Sequence, residues 1–162
     1  MSDFVFNIAR GRPVELHRRV DGNDPGNSAL ILVVLQLTGL QSDDVLRDYD
    51  DLGAILAAAN DEPTNSGYAR KTLTDSDLSA PAIDDTLNRV VLTYPSQTWT
   101  SVAAGSTWAK ILTCYDSDTT AGTDADIVPL VAQDMLINGA PIVPSGVNIQ
   151  WSVPSGYYLS SA

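Results

Sequence analysis

Cysteine and histidine occur once each in this 162-residue chain, as Cys114 and His17, and glutamate only twice, as Glu15 and Glu62. One cysteine excludes an internal disulfide, and one cysteine with one histidine cannot furnish a Cys/His zinc site. His17 sits among arginines, so no Ser or Cys has a neighbouring base that the sequence points to. It reads as a structural or surface histidine, and Cys114, inside an apolar stretch, as a buried inert thiol. No apolar run reaches membrane-spanning length; 29–35 is only strand-long. The opening MSDFVFNIARGR lacks the basic-then-apolar order of a signal peptide, and a soluble protein in the cytoplasm is expected. A glycine-rich phosphate loop and a dinucleotide fingerprint are also missing, and no cofactor is expected. Bases are scarce: 9 Lys and Arg against 20 Asp and Glu give a net charge of −11, which makes nucleic acid a poor partner.

Aspartate is abundant, supplying 18 of the 20 acids. Its short carboxylate competes for nearby backbone N–H groups, so it favours turns, caps and loops over helix interiors. With Thr, Ser and Gly also plentiful, many short strands and loops are expected. An apolar share of 44% over 162 residues fits one domain, 1–162, with a core of its own.

The chain is organised around Ser106–Leu130. Trp108, Lys110, Leu112 and Cys114 alternate with Ala109, Ile111, Thr113 and Tyr115, the period of a strand. A loop of Asp, Ser, Thr, Gly and Ala spans 116–126, and the return arm starts at Ile127, with Pro129 marking an edge or bulge. Upstream, Phe4–Ala9 reads as a strand that Gly11 and Pro13 interrupt before Val14, Leu16 and Val20 continue in extended form. Residues 28–37 (SALILVVLQL) read as a strand buried on both faces. Residues 42–59 carry the one strong helical pattern, weakened at Gly53 and divisible into two short pieces. Residues 68–79 read as a short strand followed by a capped turn, and further strands are expected near 89–94, 98–102, 134–137 and 147–153, with 80–88 a polar connector and Asn138-Gly139 a turn. The last of these strands places Val147, Ile149, Trp151 and Val153 on one face. Short strands roughly every ten residues point to an all-β fold, a single sandwich or barrel of jelly-roll type, with one short helix around 43–58.

Four groups of residues are candidates for function. Asp116, Asp118, Asp124 and Asp126 could gather oxygens around a hard cation such as calcium. However, Ala121 and Ile127 stand where an EF-hand loop needs Gly and Glu, so turn and capping chemistry is the preferred reading. The neighbouring pairs Asp61/Glu62 and Asp84/Asp85 do not resemble two acids facing across a sugar cleft. Arg10, Arg12, Arg18 and Arg19 crowd an N-terminal arm, 1–20, that reads either as a solvated edge or as an arm docking on an acidic surface. Trp99, Trp108 and Trp151 read as core anchors or, failing that, interface anchors. Trp151, Tyr157 and Tyr158 could also form an exposed sugar-stacking face. Nothing has the pattern of an active site.

Three segments carry a resemblance: Asn65–Pro81 (NSGYARKTLTDSDLSAP), Trp108–Leu130 (WAKILTCYDSDTTAGTDADIVPL) and the opening MSDFVFNIARGRPVELHRRV with NSALILVVL. Together the chain resembles a family of small proteins encoded near the virion structural genes of tailed bacteriophages. The resemblance implies a virion component assembled in the host cytoplasm: a capsid decoration (cement) protein, or a head–tail accessory, tail, neck or fibre part. Its implied partners are the major capsid protein or other virion proteins, and it brings no catalytic residues. A closed homo-oligomer, a trimer by preference, would suit such a part.

Overall fold

The computed structural model describes residues 2–161. In chain order its strands are β1 (Phe4–Val5), β2 (Ala29–Gln36), β3 (Lys71–Leu73), β4 (Ala82–Asp84), β5 (Arg89–Leu92) and β6 (Gln97–Val102). They continue with β7 (Trp108–Asp116), β8 (Val128–Asp134), β9 (Leu136–Ile137), β10 (Ala140–Pro141), β11 (Val147–Trp151) and β12 (Tyr158–Ser161). Three short helices interrupt them: α1 (Pro13–Asp21), α2 (Asp43–Leu46) and α3 (Leu52–Ala57). The chain is thus mostly β, and every strand pair is antiparallel.

The centre is a five-stranded sheet of order β1-β8-β7-β2-β3. Continuous apolar runs belong in strands covered on both faces, and β2 is buried from Ala29 to Leu35. All nine residues of β7 are buried beside it. β7 and β8 form the expected hairpin, and a register shift opposite Pro129 turns that proline into part of a bulge. Around this sheet lie a three-stranded sheet, β12-β5-β4, and two ribbons, β11-β6 and β10-β9; none of the sheets closes into a barrel among the described residues. α1 rests against both β2 and β5, bridging the central sheet and the three-stranded one. One apolar core runs through all of these parts, from Phe6 and Leu16 through Leu32 and Leu112 to Leu92, Trp99 and Tyr157.

The N-terminal arm is where the structure departs most from the extended reading. After β1 the chain makes a 3-10 turn at Asn7–Ala9 and then α1. Pro13 sits at the first helical position, where its missing N–H costs nothing and its fixed φ suits the helix. Pro13, Leu16, His17 and Val20 then recur at helical spacing and are all buried. The proline starts a helix instead of breaking a strand.

Three smaller corrections follow. The 43–58 helix is two helices, and α3 gets its own start because the Asp51 carboxylate accepts the Ala54 N–H at 2.7 Å. The polar connector 80–88 contains β4. In β11 the register shifts between Val147 and Ile149, so Val147 is 59% exposed while Ile149 is buried. The even alternation of that strand does not survive the bulge.

Candidate functional site

The nine bases of the chain divide into three sets. Arg19, Arg47, Arg70, Arg89 and Lys110 each make an ion pair with a carboxylate of the chain itself. Lys71 lies over the Trp99 ring and donates to the Thr98 carbonyl. Arg10, Arg12 and Arg18 remain, exposed and without an ion pair among the described residues. All three lie on the segment from the 3-10 turn to α1. Arg19, beside them, pairs with Glu15 one turn earlier at 3.0 Å, an exposed pair of little energetic weight. The arginines of the expected docking arm therefore share one segment, carried on a packed helix and its lead-in.

Behind that surface α1 is pinned by His17, which is fully buried. The Ser79 carbonyl, 2.8 Å from Nε2, can only accept, so Nε2 carries the proton. Burial lowers the pKa of His17, and the hydrogen bond to Ser79 only partly opposes this. The neutral ring then leaves Nδ1 to accept from the Tyr157 hydroxyl at 2.9 Å. Tyr157 stacks on Tyr94 with ring centroids 5.3 Å apart, and Trp151 Nε1–H donates to the Tyr94 hydroxyl at 3.1 Å. Burial pushes the Tyr94 hydroxyl up to about 12 and Tyr157 well above its usual range.

This chain of aromatics overturns the expected sugar-stacking face. Tyr157 is 3% exposed, and the indole N–H of Trp151 is already spent on Tyr94. Trp151 and Tyr158, each partly buried, retain some open surface. Of the three tryptophans, Trp99 and Trp108 are fully buried and meet edge to face at 5.3 Å, and Trp151 is partly buried.

The acidic loop is organised by its own backbone. Asp116 accepts the Asp118 N–H, and Asp118 accepts the backbone and hydroxyl of Thr120. Asp126 closes a capping box with Thr123 over the 3-10 turn Asp124–Asp126. Asp124 instead turns to Arg70, whose guanidinium grips it through two nitrogens at 2.6 and 2.8 Å. The same guanidinium holds Glu62 at 2.6 Å, and Glu62 accepts the Tyr68 hydroxyl at 2.6 Å. These contacts hold the Arg70 cation far above its ordinary pKa and lower that of Asp124. The four aspartates are not brought together, and no group of three or more His, Cys, Asp or Glu among the described residues could hold a metal ion. Asp84 pairs with Arg89 at 2.9 Å.

Two buried groups complete the inventory. Cys114 is fully enclosed in β7, and burial pushes its thiol far above the ordinary range. Lys110, also fully buried, pairs with Asp43 at 3.0 Å and with Asp134, and donates to the Ser2 carbonyl. Burial works against the Asp43 charge, yet Lys110 and the Ser2 N–H still hold that carboxylate below its usual value. The Arg70 and Lys110 clusters escaped the sequence reading, although a lone lysine inside an apolar strand is a signal that buried acids lie opposite.

No protein-family model, no curated protein and no solved structure matches the chain. No helix among the described residues is long and apolar enough to cross a membrane.

Proposed function

We propose that the chain is a non-catalytic virion component of a tailed bacteriophage, a capsid decoration protein that binds an acidic neighbour through the exposed arginines of α1 and its lead-in. One observation carries this reading. In a chain of net charge −11, the exposed Arg10, Arg12 and Arg18 are left without internal acids and share one segment. Cations held this way steer and orient an acidic partner more than they stabilise the fold. The groups best placed for chemistry are spent internally, which supports a part that works by contact. His17 uses both ring nitrogens in hydrogen bonds and Cys114 is walled in. The central sheet with a smaller sheet joined to it through α1 supports a sandwich-like architecture for the domain.

Removing residues 1–19 would not test these exposed arginines. It deletes β1 and most of α1, with the core residues Phe6 and Leu16. Point changes do test it. The triple variant R10E/R12E/R18E should keep its melting temperature, because exposed substitutions change stability little. It should also fail to co-sediment with particles of the source phage. Quantitative mass spectrometry of those particles comes first: hundreds of copies support decoration, and a few copies move the protein to the neck, tail or a fibre. Absence from the particle ends the proposal.

A further inference from the structure

We infer that β4 is a self-association edge, through which two copies of this chain pair about a twofold axis at Ile83. The inference does not rest on the virion reading, although both draw on Arg18. β4 is the terminal strand of the three-stranded sheet, so the edge away from β5 has no strand partner among the described residues. Natural sheets usually protect such an edge by keeping it short or flanking it with charges and prolines, and Pro81 and Asp85 flank this one, yet its centre is apolar. Here the middle residue of β4, Ile83, is 76% exposed, the most exposed large apolar side chain among the described residues.

Ile83 also lies at the junction of two grooves. One, of ≈ 270 Å³, is lined by Val14, Arg18, Ala80, Pro81, Ile83 and Val90. The other, of ≈ 300 Å³, shares Ile83 and Val90 and continues to Asp85, Ser160 and the Asp84–Arg89 ion pair, which leaves Asp85 as its unbalanced charge. The combined furrow is polarised. Its α1 end carries the unpaired Arg18, and its turn end carries Asp85, which is exposed and makes no ion pair among the described residues.

A twofold axis requires a surface to complement itself. Antiparallel pairing of β4 with a second β4 about Ile83 sets Ala82 opposite Asp84 and Pro81 opposite Asp85. Each Asp85 then lies over the end of the other copy's groove where Arg18 waits, twice per dimer. The two Ile83 side chains meet at the axis, beside Val90. The basic end thus meets the acidic end, and the apolar centre meets itself. This symmetry is twofold, in place of the trimer favoured by the sequence reading.

Sedimentation velocity on the full chain over a range of concentrations tests the inference. The wild type is expected to dimerise, and Ile83→Asp to be monomeric with an unchanged circular dichroism spectrum. Arg18→Asp and Asp85→Arg should each weaken dimerisation by about tenfold, since each sets like charges together at two places. The double variant R18D/D85R should recover most of the loss. A separate Ile83→Cys variant should form a disulfide-linked dimer on mild oxidation, because Cys114 is buried. A wild type that stays monomeric overturns the inference. So does a dimer that Ile83→Asp leaves intact, or a double variant no better than its parents.

Discussion

Two fully buried ionisable side chains, His17 and Lys110, set the chemistry of this core, and they do so with opposite charge states. His17 is held neutral. Its folded pKa lies below the ordinary 6.5 because burial penalises the imidazolium. The unfolded chain therefore takes up the proton first as the pH falls. Stability is full above about pH 6.5 and declines below it, levelling off once the folded pKa is passed. His17→Gln should flatten that acid limb in melting curves recorded from neutral to mildly acidic pH. It should also cost about 1–3 kcal/mol at neutral pH, because one partner of the Ser79–His17–Tyr157 chain is left unmatched. An unaltered pH profile would mean that His17 is not the group responsible. Lys110 is the converse case, charged between Asp43 and Asp134. Lys110→Met should cost roughly 3–5 kcal/mol in urea unfolding, because it removes the buried cation shared by two carboxylates. A loss under 1 kcal/mol would show that the acids find other partners.

At the scale of elements, close approach decides what propensity alone misjudges. Gly53 looked like a weak point in a helix, yet it lies in the first turn of α3, where α3 meets the 3-10 turn of the acidic loop. A Cβ on Gly53 would lie 3.1 Å from the Ala125 nitrogen and 3.3 Å from its Cα, tighter than ordinary contact with a backbone that cannot swing aside. Helix propensity alone says that Gly53→Ala gains about 1 kcal/mol. The contact predicts a net loss of roughly 1–2 kcal/mol in chemical denaturation, since overpacking forces backbone shifts. A stabilised variant would show that the loop yields. Elements with a plain period were readable from sequence. The continuous run of β2 and the alternation of β7 both appear where their patterns place them. α1 was hidden by Gly11 and Pro13, which read as breaks until Pro13 is recognised as the first residue of a helix. β4 was hidden because three residues, Ala82–Asp84, are too few to show a period. The arginine cluster was legible as a clustering in sequence. That Arg18 lines a furrow shared with β4 and β5 is a matter of tertiary packing, which no local pattern encodes.

Across the whole molecule, one core joins three parts: the central sheet, α1 and the outlying strands. Leu32 and Leu112 of the central sheet, Leu16 of α1, Leu92 of β5 and Trp99 of β6 belong to one contiguous cluster. α1 is the bridge, since it touches both β2 and β5 and is hydrogen-bonded through His17 to Tyr157, just before β12. Losing the outer strands would strip one side of α1, and losing α1 would open the central sheet, so neither part has a separate minimum to fall into. Unfolding should therefore be a single cooperative event. Calorimetry should show one peak with an enthalpy of about 110 kcal/mol near 60 °C, from about 0.7 kcal/mol for each of 162 residues. Near-ultraviolet dichroism, dominated by the buried Trp99 and Trp108, should melt together with the far-ultraviolet signal of the strands. Two transitions, or a van't Hoff enthalpy near half the calorimetric one, would show that the three-stranded sheet unfolds by itself. In that case β4 would be carried on a separable unit, and self-association through Ile83 should raise the lower of the two transitions with protein concentration while leaving the upper one fixed.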